Sequence, residues 1–334
     1  MRPNLKRILA IVGLLLSCIF LWVAFRKTDL QGLSDALRRT EPLWIAPFLL
    51  SLASFCWLKS VRWALLLSPV CRTRARELIP PVIIGYMGTG LMPMQLGEVA
   101  RAYLAAESLR TRIAAILASL LIERILDVLV LLVIVSLAAT LGSGLEAHYR
   151  TLGLTFAAAA IMMAAALCVY AAYTEAFIRA AERAISFLPV GLRERIVNQL
   201  RAGAAGLQIL RQPGRFIQLA GMSLLQWTFM CACVWISLAA IGQYVSVGAA
   251  LALLATTILS MTLPAGPGYV GTLQLAYVFA LSPYGISRDD ALAASFFYLA
   301  ALWLPLVAGG MLMLHRMGLR LKNVTEIEAR QNLP

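Results

Sequence analysis

Residues 263–271 read LPAGPGYVG, and this stretch decides between two folds. Three of its glycines have the G-x-G-x-x-G spacing of a dinucleotide-binding loop, which works only between a strand and a helix. The flanking segments, 251–263 and 273–281, are instead apolar runs of the kind found in membrane helices. We therefore interpret the stretch as a break within a membrane-embedded helix.

The composition predicts an all-α integral membrane protein. Hydrophobic residues make up 61% of the 334 residues and charged residues only 13%, with a mean hydropathy of +0.81. A backbone surrounded by lipid must satisfy its own hydrogen bonds, which favours helices. The net charge of +13 comes from basic loops between apolar segments, so we predict contact with anionic lipid and no nucleic-acid partner. The cysteines and histidines have no metal-ligand spacing, so we predict no metal and no cofactor.

Six apolar segments are long enough to cross a bilayer, which takes about 20 residues. These predicted spans are 8–25, 43–61, 113–141, 152–173, 216–241 and 291–314. Two further segments, 79–109 and 248–285, are predicted to form broken, re-entrant helical hairpins. If both termini are cytoplasmic, most of the 29 lysines and arginines fall on the cytoplasmic side, as the positive-inside rule requires. We therefore predict one multi-pass domain, residues 1–334, in a bacterial inner membrane.

Residues 43–141 and 216–314 have the same order of elements, namely a span, a hairpin and a second span. The charge distribution starts the two units on opposite sides, which predicts an inverted repeat with a polar transport site at the midplane. Coincidence is the alternative, because the sequence identity between the units is slight. Between them, 175–215 combines arginines with apolar residues at helical spacing, which predicts a cytoplasmic amphipathic segment; a solvated linker is the alternative.

Proline and glycine cluster in both hairpins. Proline lacks a helical donor and glycine adopts conformations closed to other residues, so both types interrupt helices. Irregular backbone persists at membrane depth only where it is buried in protein or lines a polar cavity. The predicted helix-break or gating residues are Gly90, Pro93 and Gly97 in the first hairpin and Pro264, Gly266, Pro267, Gly268 and Gly271 in the second. A kink with only a packing role is the alternative.

Three charged residues, Glu123, Arg124 and Asp127, fall inside the predicted span 113–141. Each costs about 2.5–3.5 kcal/mol there unless it is paired or faces water, so all three are functional candidates. Arg124 can reach Asp127 three residues later on the same helix. Ion pairs with a purely structural role are the alternative.

Charges also occur near the first hairpin. Glu98 and Arg101 lie one turn apart on its returning arm. Lys59 and Arg62 lie at the end of the span 43–61, and we interpret Lys59 as snorkelling to the cytoplasmic headgroups.

Four ordered motifs resemble those of the flippase-like transmembrane family, which is related to the membrane portion of lysylphosphatidylglycerol synthase. The motifs are Arg62-Trp63 followed by Leu65 to Leu67, Pro93-x-x-x-Gly97-Glu98-x-x-Arg101, Glu123-Arg124-x-x-Asp127, and Leu263-Pro264-x-x-Pro267-Gly268-x-x-Gly271-Thr272. For family members that act on aminoacylated lipids, the resemblance implies movement of a modified phospholipid from the inner to the outer leaflet. Other relatives accompany glycolipid, polyprenyl-lipid or hopanoid pathways.

We therefore predict a flippase or scramblase-like transporter, not an enzyme, whose partner is a membrane lipid. The candidate substrate-binding residues are phosphate-binding arginines, acids that balance them and neutral hydrogen-bonding groups: Arg62, Arg101, Arg124, Glu98, Glu123, Asp127, Gln95, Thr272 and Gln274. A membrane-embedded transferase with Glu98 or Asp127 as base is one alternative. A scaffold that binds a lipid-modifying enzyme is another alternative. The sequence is also compatible with a homo-oligomer.

Overall fold

The computed structural model describes residues 17–26, 28–91, 96–141, 147–186, 191, 193, 197, 212–261 and 266–318. All regular structure in these residues is helical, which confirms the all-α prediction. The helices are α1 (17–25), α2 (Leu30–Arg38), α3 (Ile45–Leu67), α4 (Ala75–Leu91), α5 (Leu96–Ser108), α6 (Ile113–Leu141), α7 (Ala147–Ala172), α8 (Thr174–Ala184), α9 (Pro213–Ala239), α10 (Val247–Ser260), α11 (Thr272–Leu281) and α12 (Arg288–Arg316).

The chain is a multi-pass membrane protein. Within the described residues, three helical stretches are both long enough and apolar enough to cross a bilayer: Pro42–Leu67, Gly214–Ala239 and Arg288–Arg316. They coincide with three of the predicted spans. The helix α6 has the predicted bounds 113–141, and its 29 residues rise about 43 Å, more than the roughly 30 Å of hydrocarbon. It carries three internal charges, Glu123, Arg124 and Asp127, whereas α3 carries two, Lys59 and Arg62.

Several predictions fall on residues that the structure does not describe. Pro93, Gln95 and Pro264 lie outside the described residues, as does the beginning of the predicted span 8–25. Of the segment 175–215, the structure describes α8 and a few further residues. There Ile178 is buried and packs with Val197 and Ile185, so this part of the segment has an apolar face, as an amphipathic helix requires.

The first predicted hairpin consists of α4 and α5, whose arms approach each other at glycines. A Cβ atom at Gly97 would lie 1.9 Å from the carbonyl oxygen of Gly85, and one at Gly88 would lie 2.8 Å from the Gly97 Cα atom. Gly97 lies in the first turn of α5 and allows close packing of the two arms; its role in helix breaking or gating stays a prediction. Gly90 is the penultimate residue of α4 and faces the Trp303 ring.

The second predicted hairpin consists of α10, which ends at Ser260, and α11, which begins at Thr272. Between these helices, the described residues 266–271 include a 3-10 turn, Pro267–Tyr269, that begins after Gly266. Gly268 has a φ of 68° and Gly271 a φ of 93°, values that favour glycine. A break therefore lies where the sequence predicts it. The amide of Gly266 donates to Ser17 Oγ of α1 at 2.8 Å, so the N-terminal helix holds this bend.

Helices from the two predicted units pack against one another. The first helices of the units, α3 and α9, lie side by side. The first arm of each hairpin contacts the last helix of the other unit: α4 packs on α12, and α10 packs on α6. The two units therefore share one helical body, and the surfaces between them enclose the site described next. The division into repeats stays a prediction.

Candidate functional site

Glu123 of α6 lies at the centre of a buried network of ion pairs. Its Oε1 atom lies 2.5 Å from Lys59 Nζ and 3.7 Å from Arg62 Nη2, both on α3. Arg101 of α5 binds both carboxylate oxygens, with Nη1 donating to Oε1 at 3.0 Å and Nη2 donating to Oε2 at 2.9 Å. These four side chains are at most 4% exposed. The carboxylate therefore compensates charges that a membrane interior would otherwise penalise heavily.

Asp127 lies one turn after Glu123 on α6 and binds the guanidinium group of Arg62. Arg62 Nη1 donates to Asp127 Oδ1 at 2.8 Å and to Ser223 Oγ of α9 at 2.7 Å. Trp227, one turn further along α9, donates through Nε1 to the same Asp127 oxygen at 3.2 Å. Asp127 therefore connects α3 and α6 of the first predicted unit to α9 of the second.

Glu98 and Arg124 form the exposed end of the network. Arg124 Nη2 binds Glu98 Oε1, and Arg101 Nη1 lies 3.6 Å from Glu98 Oε2. The Arg124 side chain is 51% exposed and the Glu98 side chain 27% exposed. A pair with this exposure contributes only about 0–1 kcal/mol to stability, so a ligand can replace either partner at little cost.

Aromatic rings support two of the cations. The Arg101 guanidinium lies 3.9 Å from the centre of the Trp63 ring, and Trp63 Nε1 donates to Ser119 Oγ at 2.9 Å. Lys59 Nζ lies 5.7 Å from the centre of the Tyr86 ring. Because ring faces attract cations, these contacts hold Arg101 and Lys59 in place around Glu123.

A cavity of about 170 Å³ lies beside the network, between the two predicted units. Its charged lining residues are Lys59, Glu98, Arg124 and Asp127. Aromatic side chains from both units form much of the remaining wall: Phe55, Tyr86, Trp227, Tyr298 and Trp303. A polar floor beside an aromatic wall suits a molecule with one charged and one apolar part.

Six of the nine predicted substrate-binding residues come together in this network. They are Arg62, Glu98, Arg101, Glu123, Arg124 and Asp127. Thr272 and Gln274 are buried elsewhere, in α11, where Thr272 Oγ1 donates to the Tyr269 carbonyl and Gln274 Oε1 accepts from the Gly271 amide. Gln95 lies outside the described residues. That these residues bind substrate stays a prediction.

Two interpretations of the charges need correction. Lys59 does not snorkel to the headgroups, because its side chain is 4% exposed and binds Glu123. Arg124 binds Glu98 of α5, whereas the helical spacing favours Asp127, whose Oδ1 atom accepts instead from Arg62. In both cases a neighbouring helix supplies a partner that the local sequence does not reveal.

Sequence reasoning also missed neutral members of the site. Trp227 and Ser223 bind the network from α9, and Thr257 of α10 lines the cavity. In the sequence these residues are uncharged polar groups within mainly apolar helices. The spacing of Ser223 and Trp227, four residues apart on one face of α9, is the one signal that could have grouped them.

Comparison with known protein families finds a match that covers most of the chain. The family described as the lysylphosphatidylglycerol synthase TM region matches residues 10–310. This range includes every described residue of the ion-pair network and of the cavity wall. A comparison with curated proteins finds no match.

Proposed function

Because the chain belongs to the family of the lysylphosphatidylglycerol synthase transmembrane region, we propose that it moves a lipid between the leaflets of a bacterial inner membrane. The moving group is the headgroup of a phospholipid or of a lipid-linked compound. In this proposal the protein is a flippase or a scramblase-like transporter, and the lipid leaves chemically unchanged.

The cavity between the units is the observation that carries the proposal. A headgroup can cross an apolar slab only if polar side chains replace its water along the way. Arg124 supplies a half-exposed guanidinium at the cavity, and guanidinium binds phosphate oxygens in a bidentate manner. The aromatic wall accommodates the adjoining apolar part of the lipid while the acyl chains stay in the bilayer.

The proposed topology has six spans and two re-entrant hairpins. The spans are α1, α3, α6, α7, α9 and α12, and the hairpins are α4–α5 and α10–α11. The exchange of first arms, α4 on α12 and α10 on α6, supports an arrangement in which the hairpins enter from opposite faces and meet at the cavity. Both termini are cytoplasmic in this arrangement.

The ion pairs favour transport over the transferase alternative. A general base must be free to accept a proton. The two carboxylates that face the cavity, Glu98 and Asp127, each accept from an arginine. Each of these carboxylates is therefore occupied by an arginine and is not free to take a proton from a substrate.

Reconstitution in vesicles tests the proposal. The full chain is placed in liposomes with lipids that carry a fluorophore on one acyl chain, and a membrane-impermeant reductant reports the fraction in the outer leaflet. We expect protein-dependent exchange for at least one headgroup class, slowed about tenfold or more by Arg124→Gln, since charge-assisted hydrogen bonds contribute about 1.5–3 kcal/mol.

The matched control for that variant is Arg112→Gln. Arg112 precedes the same helix and is exposed, so exchange should continue at the rate of the unmodified protein. Exchange equal to that of empty liposomes for every headgroup class would contradict the proposal. Conversion of a lipid by the purified protein in detergent, where no leaflets exist, would favour the transferase instead.

A further inference from the structure

The ionised network carries an excess of positive charge. Within the described residues it contains four cations, Lys59, Arg62, Arg101 and Arg124, and three carboxylates, Glu98, Glu123 and Asp127. The net charge of the cluster is therefore +1. An uncompensated charge is costly in a medium of low dielectric constant. A ligand with one negative charge neutralises the cluster, whereas a cationic ligand adds to the imbalance.

The exposed end of the network is where such a ligand can bind. Lys59 and Arg101 are engaged by the buried Glu123, and Arg62 by Asp127. Arg124 alone among the four combines a position on the cavity wall with a half-exposed side chain. An incoming phosphodiester can share Arg124 with Glu98 or displace that carboxylate.

The part of the cavity lining that α10 supplies presents a different chemistry. Thr257 of α10 lines the cavity and is 2% exposed, yet its Oγ1 atom has no hydrogen-bond partner among the described residues. A helical threonine usually bonds to a carbonyl three or four residues earlier. The adjacent Thr256 does so, bonding to the carbonyls of Ala252 and Leu253 at 3.0 Å each.

Thr257 therefore brings an unused hydrogen-bonding group to the lining of the cavity. A buried polar group without a partner is costly, and a ligand that supplies a donor or an acceptor removes this cost. A hydroxyl group on the ligand can do both. An ammonium group at the same place would bring a further positive charge into a region that already has an excess.

Resting on the proposed transport function, we propose that the cavity selects a net-anionic headgroup that carries neutral hydroxyl groups, such as a phosphodiester-linked polyol. Arg124 binds the phosphodiester, and Thr257 bonds to a hydroxyl of the polyol. A cationic aminoacyl headgroup is disfavoured by the positive excess of the cluster.

Three lipids separate the two parts of this selectivity. Phosphatidylglycerol carries the anion and hydroxyls, phosphatidylmethanol carries the anion without hydroxyls, and lysylphosphatidylglycerol has a net positive charge. Exchange of acyl-labelled forms is measured in liposomes containing the full chain. Phosphatidylglycerol should exchange at least about tenfold faster than the lysyl form and about threefold to tenfold faster than phosphatidylmethanol.

Two matched variants assign the hydroxyl preference to one residue. Thr257→Val removes the hydroxyl at nearly constant volume and should bring the phosphatidylglycerol and phosphatidylmethanol rates close to each other. Thr256→Val removes a hydroxyl that already bonds to its own helix, so the preference should remain. An unchanged preference in Thr257→Val, or loss of it in Thr256→Val, would overturn the role of Thr257.

A binding measurement distinguishes failure of this inference from failure of the transport proposal. Equimolar mixtures of the three lipids are offered to the full chain in detergent, and the retained lipids are identified by native mass spectrometry. Preferential retention of phosphatidylglycerol without leaflet exchange would refute transport and support the selectivity. Exchange in liposomes with the lysyl form equal to or faster than phosphatidylglycerol would refute the selectivity and leave transport standing.

Discussion

The returning arms of the two hairpins use their polar side chains differently. In α5, Glu98 and Arg101 form ion pairs with side chains of α6. In α11, Thr272 and Gln274 bond to the backbone of their own hairpin, at 2.9 Å and 2.6 Å. The polar side chains of the first hairpin thus bind a neighbouring helix, whereas those of the second hairpin stabilise its own bend. Of these two arms, α5 contributes a charged side chain, Glu98, to the cavity wall, and no described residue of α11 lines the cavity.

The bends of the two hairpins also depend on different contacts. The arms α4 and α5 touch directly, with Gly97 against the backbone of Gly85. The bend between α10 and α11 depends instead on glycines with positive φ and on a distant residue, Ser17 of α1. Substitutions at Gly97 and Ser17 therefore test two separate ways of holding a broken helix in a membrane.

The largest effect on stability is expected at Glu123, which lies at the centre of the buried ion-pair network. Glu123→Gln leaves Lys59, Arg62 and Arg101 buried around a neutral amide, and breaking a buried ion pair costs about 3–5 kcal/mol. The free energy of unfolding in mixed micelles, titrated with a denaturing detergent, measures the loss.

Glu107→Gln is the control, since Glu107 is an exposed residue of α5 and its substitution should change stability by no more than about 0.5 kcal/mol. Equal stability of Glu123→Gln and the unmodified protein would show that the network does not hold the first unit together. If Glu123→Gln fails to accumulate, Glu123→Asp, which keeps the charge and loses one methylene, should show a smaller loss.

The sequence predicts the helices better than it predicts which charged side chains bind each other. The bounds of α6 follow from the length of its apolar segment, and the choice of its charged residues as candidates follows from the cost of charge in a membrane. Which charges pair does not follow, because it depends on where other helices lie. The prediction that Lys59 extends to the headgroups is therefore wrong, because its side chain binds Glu123. Thr257 was not predicted as a site residue, because its role depends on the cavity that it lines.

The next largest effect is expected where the arms of the first hairpin touch. In Gly97→Ala the new methyl group would lie 1.9 Å from a backbone oxygen, which cannot rotate away, so the cost should approach the upper end of overpacking effects, about 3 kcal/mol. Gly221→Ala is the control, because nothing lies within 4 Å of its Cβ position. Equal stability of the two variants would mean that α4 and α5 are not in direct contact.

A smaller effect is expected at the bend of the second hairpin. Ser17→Ala removes the acceptor of the Gly266 amide and leaves a buried donor unpaired, at a cost of about 1–3 kcal/mol. Hydrogen exchange of residues 266–271 should accelerate in this variant, while exchange in α5 should not change. Ser54→Ala is a suitable control, because Ser54 lies in α3, away from this bend. Acceleration in both hairpins would instead indicate that the two bends are coupled.

The smallest effect on stability is expected at Glu98, although it lies in the same network as Glu123. Glu98→Gln breaks a partly exposed pair with Arg124, which contributes about 0–1 kcal/mol, so the unfolding free energy should scarcely fall. The same substitution raises the net charge at the cavity by one and releases the guanidinium, which should strengthen retention of an anionic lipid in native mass spectrometry. A loss of stability comparable to that of Glu123→Gln would mean that the network is structural to its exposed end. Stronger retention with unchanged stability would mean that its buried part holds the helices together and its exposed part is available to the lipid.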